Sequence, residues 1–115
     1  MRLEIGKLVG QNCITLEDGK KVYDIIYPEL TLDHVVELDF SGVSVFASPF
    51  FNAAIGQLLK DLQSEKLNRL IQLIGLTNDA KAVLDRVIQN AKQYYSNPAV
   101  RKAVDGVLGE QSKQE

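Results

Sequence analysis

Side chains able to do chemistry are sparse in this sequence, and most of them lie in one short stretch. His34-Val-Val-Glu-Leu-Asp-Phe40 alternates apolar and polar residues and runs into Ser41-Gly-Val-Ser-Val-Phe46. Glu37, Asp39, Ser41, Ser44 and Ser48 therefore follow one another along and just beyond one apolar run. Ligands of open α/β sheets gather beyond the carboxyl ends of strands. Asp39 at such an end has two readings. It holds a metal ion or accepts a phosphoryl group, or its carboxylate bonds the amides of the Ser41-Gly42 turn. A phosphoacceptor of the receiver type needs a separate acidic pair and a lysine at other strand ends. Neither is recognisable, which favours the turn and leaves Asp39 and Ser41 as candidate ligand-edge residues.

Ser48 also has two readings. Followed by Pro49, it is an N-cap residue with proline at the first helical position. It is equally a phosphorylation candidate, since free amides at a helix start stabilise an added dianion. Phe50 stands off the main apolar stripe of that helix, with Ala53 and Gln57 following on its side. The ring is either an exposed partner contact or tucked under the preceding loop.

Other reactive groups are isolated. His34 is the only histidine and starts a strand, where a structural role is expected. Cys13 is the only cysteine, in an apolar context; it excludes an intrachain disulfide or a Cys-rich zinc site and reads as a buried structural thiol. Walker loops, dinucleotide glycine fingerprints, nucleophile elbows and HExxH are missing. With no base–nucleophile pair in view, the expectation is a protein that is not an enzyme and takes no metal or cofactor.

The elements that must position these residues can be read from periodicity. LEIGKLVGQNCIT, broken by Gly6 and Gly10, reads as one or two short strands ending near Ile14. Thr15-Leu-Glu-Asp18 caps a first helix with Val22, Ile25 and Ile26 on its buried stripe, and Pro28 is expected to stop it. In the clearest strand, His34–Phe40, Val36, Leu38 and Phe40 share one face. The helix opened by Ser48 carries Phe51, Ala54, Ile55, Leu58, Leu59 and Leu62 over about three turns. Arg69–Leu76 reads as a buried strand. Asn78 is expected to cap a third helix whose inner face holds Ala80, Val83, Leu84, Val87, Ile88 and Ala91. Asn97-Pro98 then starts a shorter fourth helix through Leu108. The alternation of strands and helices predicts an α/β fold, with a parallel or mixed sheet of about four strands and three to four helices packed on it.

Length permits one domain, expected over 1–109 with a polar tail at 110–115. Thirteen Lys and Arg against fifteen Asp and Glu give a net charge of −2. The basic pairs Lys20-Lys21 and Arg101-Lys102 are scattered among acids, so no nucleic-acid partner is expected. No apolar run approaches a membrane span and the first residues lack a signal-peptide core, so no membrane association and a cytoplasmic location are expected. Oligomeric state is left open.

Val35-Val-Glu-Leu-Asp-Phe-Ser-Gly-Val-Ser-Val-Phe-Ala-Ser-Pro-Phe-Phe51 resembles the centre of a STAS domain, the module of sulfate transporters and anti-sigma factor antagonists. The likeness is closer still to the bacterial STAS-like family, in which the strand ends in D-F-x-G-V and the helix opens S-F. Leu70-Ile-Gln-Leu-Ile-Gly-Leu-Thr-Asn-Asp-Ala-Lys-Ala-Val-Leu84 is similar to that family's next strand and capped helix, and the likeness spans roughly residues 15–92. It implies a regulatory module that binds a protein partner, such as a kinase-type regulator, through Ser44, Ala47, Ser48, Phe50, Ala53 and Gln57. Ser48 matches the regulatory phosphoserine, but Ala47 stands where antagonists carry aspartate and Pro49-Phe50 replaces Ser-Gly. The alternative is a small-molecule or nucleotide sensor using the polar cluster at the strand edge.

Overall fold

The computed structural model describes residues 1–96. The expected fourth helix from Asn97, the Arg101-Lys102 pair and the polar tail lie outside the described residues. Eleven elements follow in order. They are β1 (Arg2–Glu4), α1 (Ile5–Val9), β2 (Asn12–Cys13), α2 (Leu16–Thr31), β3 (Val36–Asp39) and β4 (Val45–Phe46). Then come α3 (Ser48–Ala54), a 3₁₀ turn (Gly56–Lys60), α4 (Ser64–Leu70), β5 (Ile71–Ile74) and α5 (Asn78–Ser96).

The α/β class holds, and all strand pairs are parallel. Among the described residues five short strands divide into a three-stranded sheet ordered β1-β3-β5 and a two-stranded sheet of β2 and β4. Parallel neighbours cannot be joined by tight hairpins, so helices carry each crossover. β3 is central, and Val36, Leu38 and Phe40 are all but inaccessible, as the alternation predicts. Val22, Ile26 and Leu30 of α2 close over the core together with Phe51, Leu58 and Leu84.

Several local expectations are corrected. Pro28 does not stop α2, which runs on to Thr31. Proline costs a helix one amide donor; here the helix is already formed over three turns. The last turn is held by buried Leu30, by the Thr31 hydroxyl donating to the Pro28 carbonyl at 2.8 Å, and by Leu32 N–H bonding Pro28 and Glu29 carbonyls. Thr15 does cap this helix, its Oγ1 accepting from the Asp18 amide at 3.1 Å.

Ser48 is not the N-cap of α3. The Ala47 carbonyl accepts from the Phe50 and Phe51 amides at 3.2 and 3.4 Å and its backbone is extended, so Ala47 is the cap and Ser48 the first helical residue. The helix also ends early, because Ile55 leaves helical geometry (φ −124°) and Gly56 begins a tighter 3₁₀ turn. Gly56 lies against α5, where an added Cβ would stand 3.3 Å from Val87. The apolar stripe still faces inward, with Leu59 and Leu62 partly buried.

Arg69 and Leu70 belong to α4, not to the strand that follows. Among the described residues β5 is the outer strand of its sheet, and its Gln72 and Leu73 are exposed, so it is not the fully buried strand expected there. It does neighbour β3, pairing Val36 with Ile71 through Asp39 with Ile74. At α5 the cap is Thr77 rather than Asn78: Thr77 Oγ1 accepts from Ala80 N at 3.2 Å and its carbonyl from Lys81 N at 2.9 Å.

Candidate functional site

The first place to examine is the carboxyl end of β3. Asp39 is only 7% exposed, with both carboxylate oxygens occupied. Oδ1 accepts the Ser41 amide at 2.9 Å and Oδ2 accepts Arg2 Nη2 at 2.6 Å. The Arg2 fork also lies 3.8 Å from Glu37, so β1 is tied to β3 by charge as well as by register. Gly42, with φ +83°, completes the turn. Gly75, with φ +74°, brings β5 so near that an added Cβ would stand 2.9 Å from the Ser41 amide nitrogen. Of the two readings of Asp39, the turn is the one this geometry favours. A concavity of about 240 Å³ beside it is lined by Glu4, Lys7, Gln11, Asp39, Ser41 and Gly42. Glu4 and Lys7 pair across it at 2.8 Å.

Ser41 bonds, through its hydroxyl and its amide, together with the Arg2 guanidinium, hold the Asp39 carboxyl below its ordinary value of 3.8. The Lys66 ammonium, 2.9 Å away, does the same for Asp33. A carboxyl whose folded pKa is depressed stabilises the fold above its unfolded value and loses that contribution as pH falls through the folded one. Urea midpoints should therefore be level toward neutrality and fall below about pH 4. Asp39→Asn should unfold more easily than wild type at neutral pH, with the gap narrowing in acid. A gap that stays constant with pH would show that the charge of Asp39 does not matter.

Other reactive groups are engaged in the fold. Cys13 is fully buried, and burial, with the Asp18 charge adding to it, pushes its thiol up to about 11, so it is inert near neutrality. His34 Nδ1 sits 2.6 Å from Glu29 Oε2 just past the end of α2. Among the described residues no cluster of His, Cys, Asp and Glu is arranged to hold a metal.

The second place is the corner where β4 enters α3. Ser44 and Ser48 are exposed, Ala47 is half-buried, and Gln57 is exposed on the 3₁₀ turn. Phe50 is fully buried and Ala53 is 6% exposed, so the ring does not offer a surface anchor. Phe50 packs edge-on against Phe51 at 5.6 Å, and Phe51 in turn stacks on Phe46 and meets Phe40. All four phenylalanines of the chain thus form one cluster beneath the corner.

Ala53 and Gln57 do share a groove of about 230 Å³ between α2 and the α3–3₁₀ segment. Its other walls are Leu16, Lys20, Tyr23, Lys60 and Asp61. Leu16 escaped the sequence reading because it lies outside the 41–57 stretch. The signal available was an apolar residue off the Val22–Ile26 stripe, two positions after another apolar residue, Ile14. β2 and β4 pair Asn12 with Val45 and Cys13 with Phe46, and the Ala47 amide bonds the Cys13 carbonyl at 2.9 Å. Ile14 therefore stands next to the start of α3, and Ile14, Leu16 and Val45 are 42%, 56% and 45% exposed.

Residues 18–92, from the first turn of α2 into α5, match the family model described as a STAS-like domain of unknown function (DUF4325). No curated protein and no solved structure matches the chain.

Proposed function

The chain belongs to the family of STAS-like domains of unknown function, and from that premise we propose that it is a non-enzymatic, cytoplasmic regulatory module that binds a protein partner at the α2–α3 corner. The observation that carries this reading is the concentration of exposed apolar side chains there. Single exposed leucines are ordinary. Leu16 instead borders the groove, and Ile14 and Val45 are exposed where the β2–β4 bridge leads into α2 and α3, the arrangement by which apolar patches mark binding surfaces. Interface energy concentrates in a few anchors. With Phe50 buried, Leu16 is the anchor, Tyr23 and Ala53 form the pocket it borders, and Ser44, Ser48 and Gln57 supply the polar rim. Ser48 is the residue at which a phosphate would set a dianion on this surface and switch docking.

The test is pull-down by the tagged protein, followed by titration of the recovered partner against variants. Leu16→Asp should weaken binding at least tenfold, about 1.4 kcal/mol. Ser48→Asp should also weaken it, while Ser48→Ala should leave stability within about 0.5 kcal/mol of wild type because Ala47 is the cap. Leu32→Asp, at a residue somewhat more exposed than Leu16 and beyond the opposite end of α2, is the control. If Leu16→Asp and Ser48→Asp bind like wild type, the surface lies elsewhere. The sensor reading rests on the concavity beside Asp39, and a ligand-dependent thermal shift abolished by Gln11→Ala would favour it instead.

A further inference from the structure

We propose that the groove between α2 and the α3–3₁₀ segment takes an acidic segment of a partner protein, an apolar side chain flanked by Asp or Glu. This rests on the reading of the corner as a docking surface and names the chemistry of what docks there. Leu16, Lys20 and Tyr23 stand four and three residues apart on α2, so they share one helix face and form one wall. Lys60 and Asp61 stand in the opposite wall, and Ala53, nearly buried, is the floor. From Leu16 to Tyr23 the helix rises about 10 Å, roughly two turns. The volume is about 230 Å³, below the roughly 300–1,000 Å³ of pockets that enclose a small molecule. It suits a side chain presented by a partner's backbone.

Charge selects the occupant. Lys20 and Lys60 are exposed, and among the described residues neither ammonium forms an ion pair. Lys21, by contrast, pairs with Asp18 at 3.5 Å. The carboxylate in the lining, Asp61, accepts from the Tyr27 hydroxyl at 3.1 Å, and Tyr27 stacks on Tyr23 at 5.3 Å. Asp61 is therefore held at the Tyr23 end. Glu17 and Asp24 lie on α2 but outside the groove lining. Leu16 and Ala53 take the partner's apolar side chain. Carboxylates beside it meet Lys20 and Lys60 in charge-assisted hydrogen bonds, whereas a basic segment would set like charges together. The same sign gives Ser48 phosphorylation a mechanism. Ser48 and Ala53 are five residues apart on α3, about 7.5 Å along its axis. That lies inside the Debye length of about 8 Å at physiological salt, so a phosphate on Ser48 repels an acidic occupant.

Random peptides displayed on phage and selected on the full chain test this, with binding of the recovered peptides read by biolayer interferometry. Those that lose binding to Leu16→Ala, a change that adds no charge, are the groove binders. They should carry Asp or Glu beside Leu or an aromatic residue, with Lys and Arg depleted. Lys20→Glu/Lys60→Glu should weaken them by roughly tenfold or more, mainly through the association rate, since rim charges steer encounter. Both lysines are exposed, so the fold stands, which thermal unfolding verifies. Replacing a peptide's acids by lysine should abolish binding to wild type and restore it to the double variant. Groove binders that are neutral or basic, acidic ones that bind the double variant like wild type, or a charge exchange that restores nothing would overturn the acidic partner and leave the docking site standing. If no recovered peptide is sensitive to Leu16→Ala, the groove is not a docking site and both readings fall.

Discussion

Phe50→Ala is expected to lower the free energy of unfolding by about 3–5 kcal/mol, the cost of emptying a fully buried aromatic site. The ring has no exposed surface and its removal unpacks more than itself. Phe51 loses its edge-on neighbour at 5.6 Å, and Phe51 is the ring that stacks on Phe46 at 5.7 Å and meets Phe40 at 6.2 Å. That chain of rings joins the end of β3, the bridge of β4 to β2, and the first turn of α3. The void therefore opens under Ala47 and Ser48, the backbone on which the docking surface stands. Urea denaturation reads the loss directly. An exposed partner anchor would behave oppositely, with unfolding changed by less than about 0.5 kcal/mol and partner affinity sharply reduced. That result would put the ring on the surface.

What could be read in the sequence, and what could not, follows from the length of each signal. β3 was legible because Val36, Leu38 and Phe40 repeat with period two on a strand buried between two others. The α5 stripe was legible because it runs over several turns, and Thr15 because its oxygen and the two acids after it act locally. Elements of two to seven residues were not. α1 covers Ile5–Val9, too short to nucleate by itself, and exists because Ile5 is fully buried. The β2–β4 bridge pairs only two residues on each side, from segments some thirty positions apart, so no local pattern announces it. α4 has two buried leucines, Leu67 and Leu70, in an otherwise polar stretch. β5 reads as a buried strand because its residues are apolar; that it is the outer strand among the described residues is a property of strand order, which local composition does not encode.

The candidate site divides in the same way. Asp39 and Ser41 form the turn that local chemistry suggests, because an Asx side chain bonding two residues ahead needs nothing distant. The Arg2 contact to Asp39 spans 37 positions and could not be seen. At the corner, Ser44, Ser48 and Gln57 lie on exposed positions. Phe50 was ambiguous because α3 presents two buried faces, one to the sheet and one to α2. A period of 3.6 identifies one stripe and treats the remainder as surface.

That second buried face rests on Gly19, and Gly19→Ala is expected to destabilise the protein by about 3 kcal/mol, the upper part of the range for overpacking. On helix propensity alone the change should stabilise α2 by about 1 kcal/mol. Contact opposes it. A Cβ at Gly19 would overlap the Phe50 carbonyl oxygen and stand 2.8 Å from the Ala53 Cβ and 3.2 Å from the Ala54 amide nitrogen. Two of these three atoms are backbone, so no side-chain rotation relieves the overlap; α2 and α3 must move apart. They form the most extensive pairing of elements among the described residues, and the groove between Leu16 and Gln57 lies along it. Separation loosens Phe50 and widens that groove, so partner binding should weaken along with stability. Urea unfolding of Gly19→Ala beside Gly42→Ala separates contact from conformation. Gly42 has positive φ with nothing within 4 Å of an added Cβ, so it bears only backbone strain of about 1 kcal/mol. If Gly19→Ala proves as stable as wild type or more so, α2 and α3 do not pack backbone to backbone. The groove assigned to the partner would then lose its geometry.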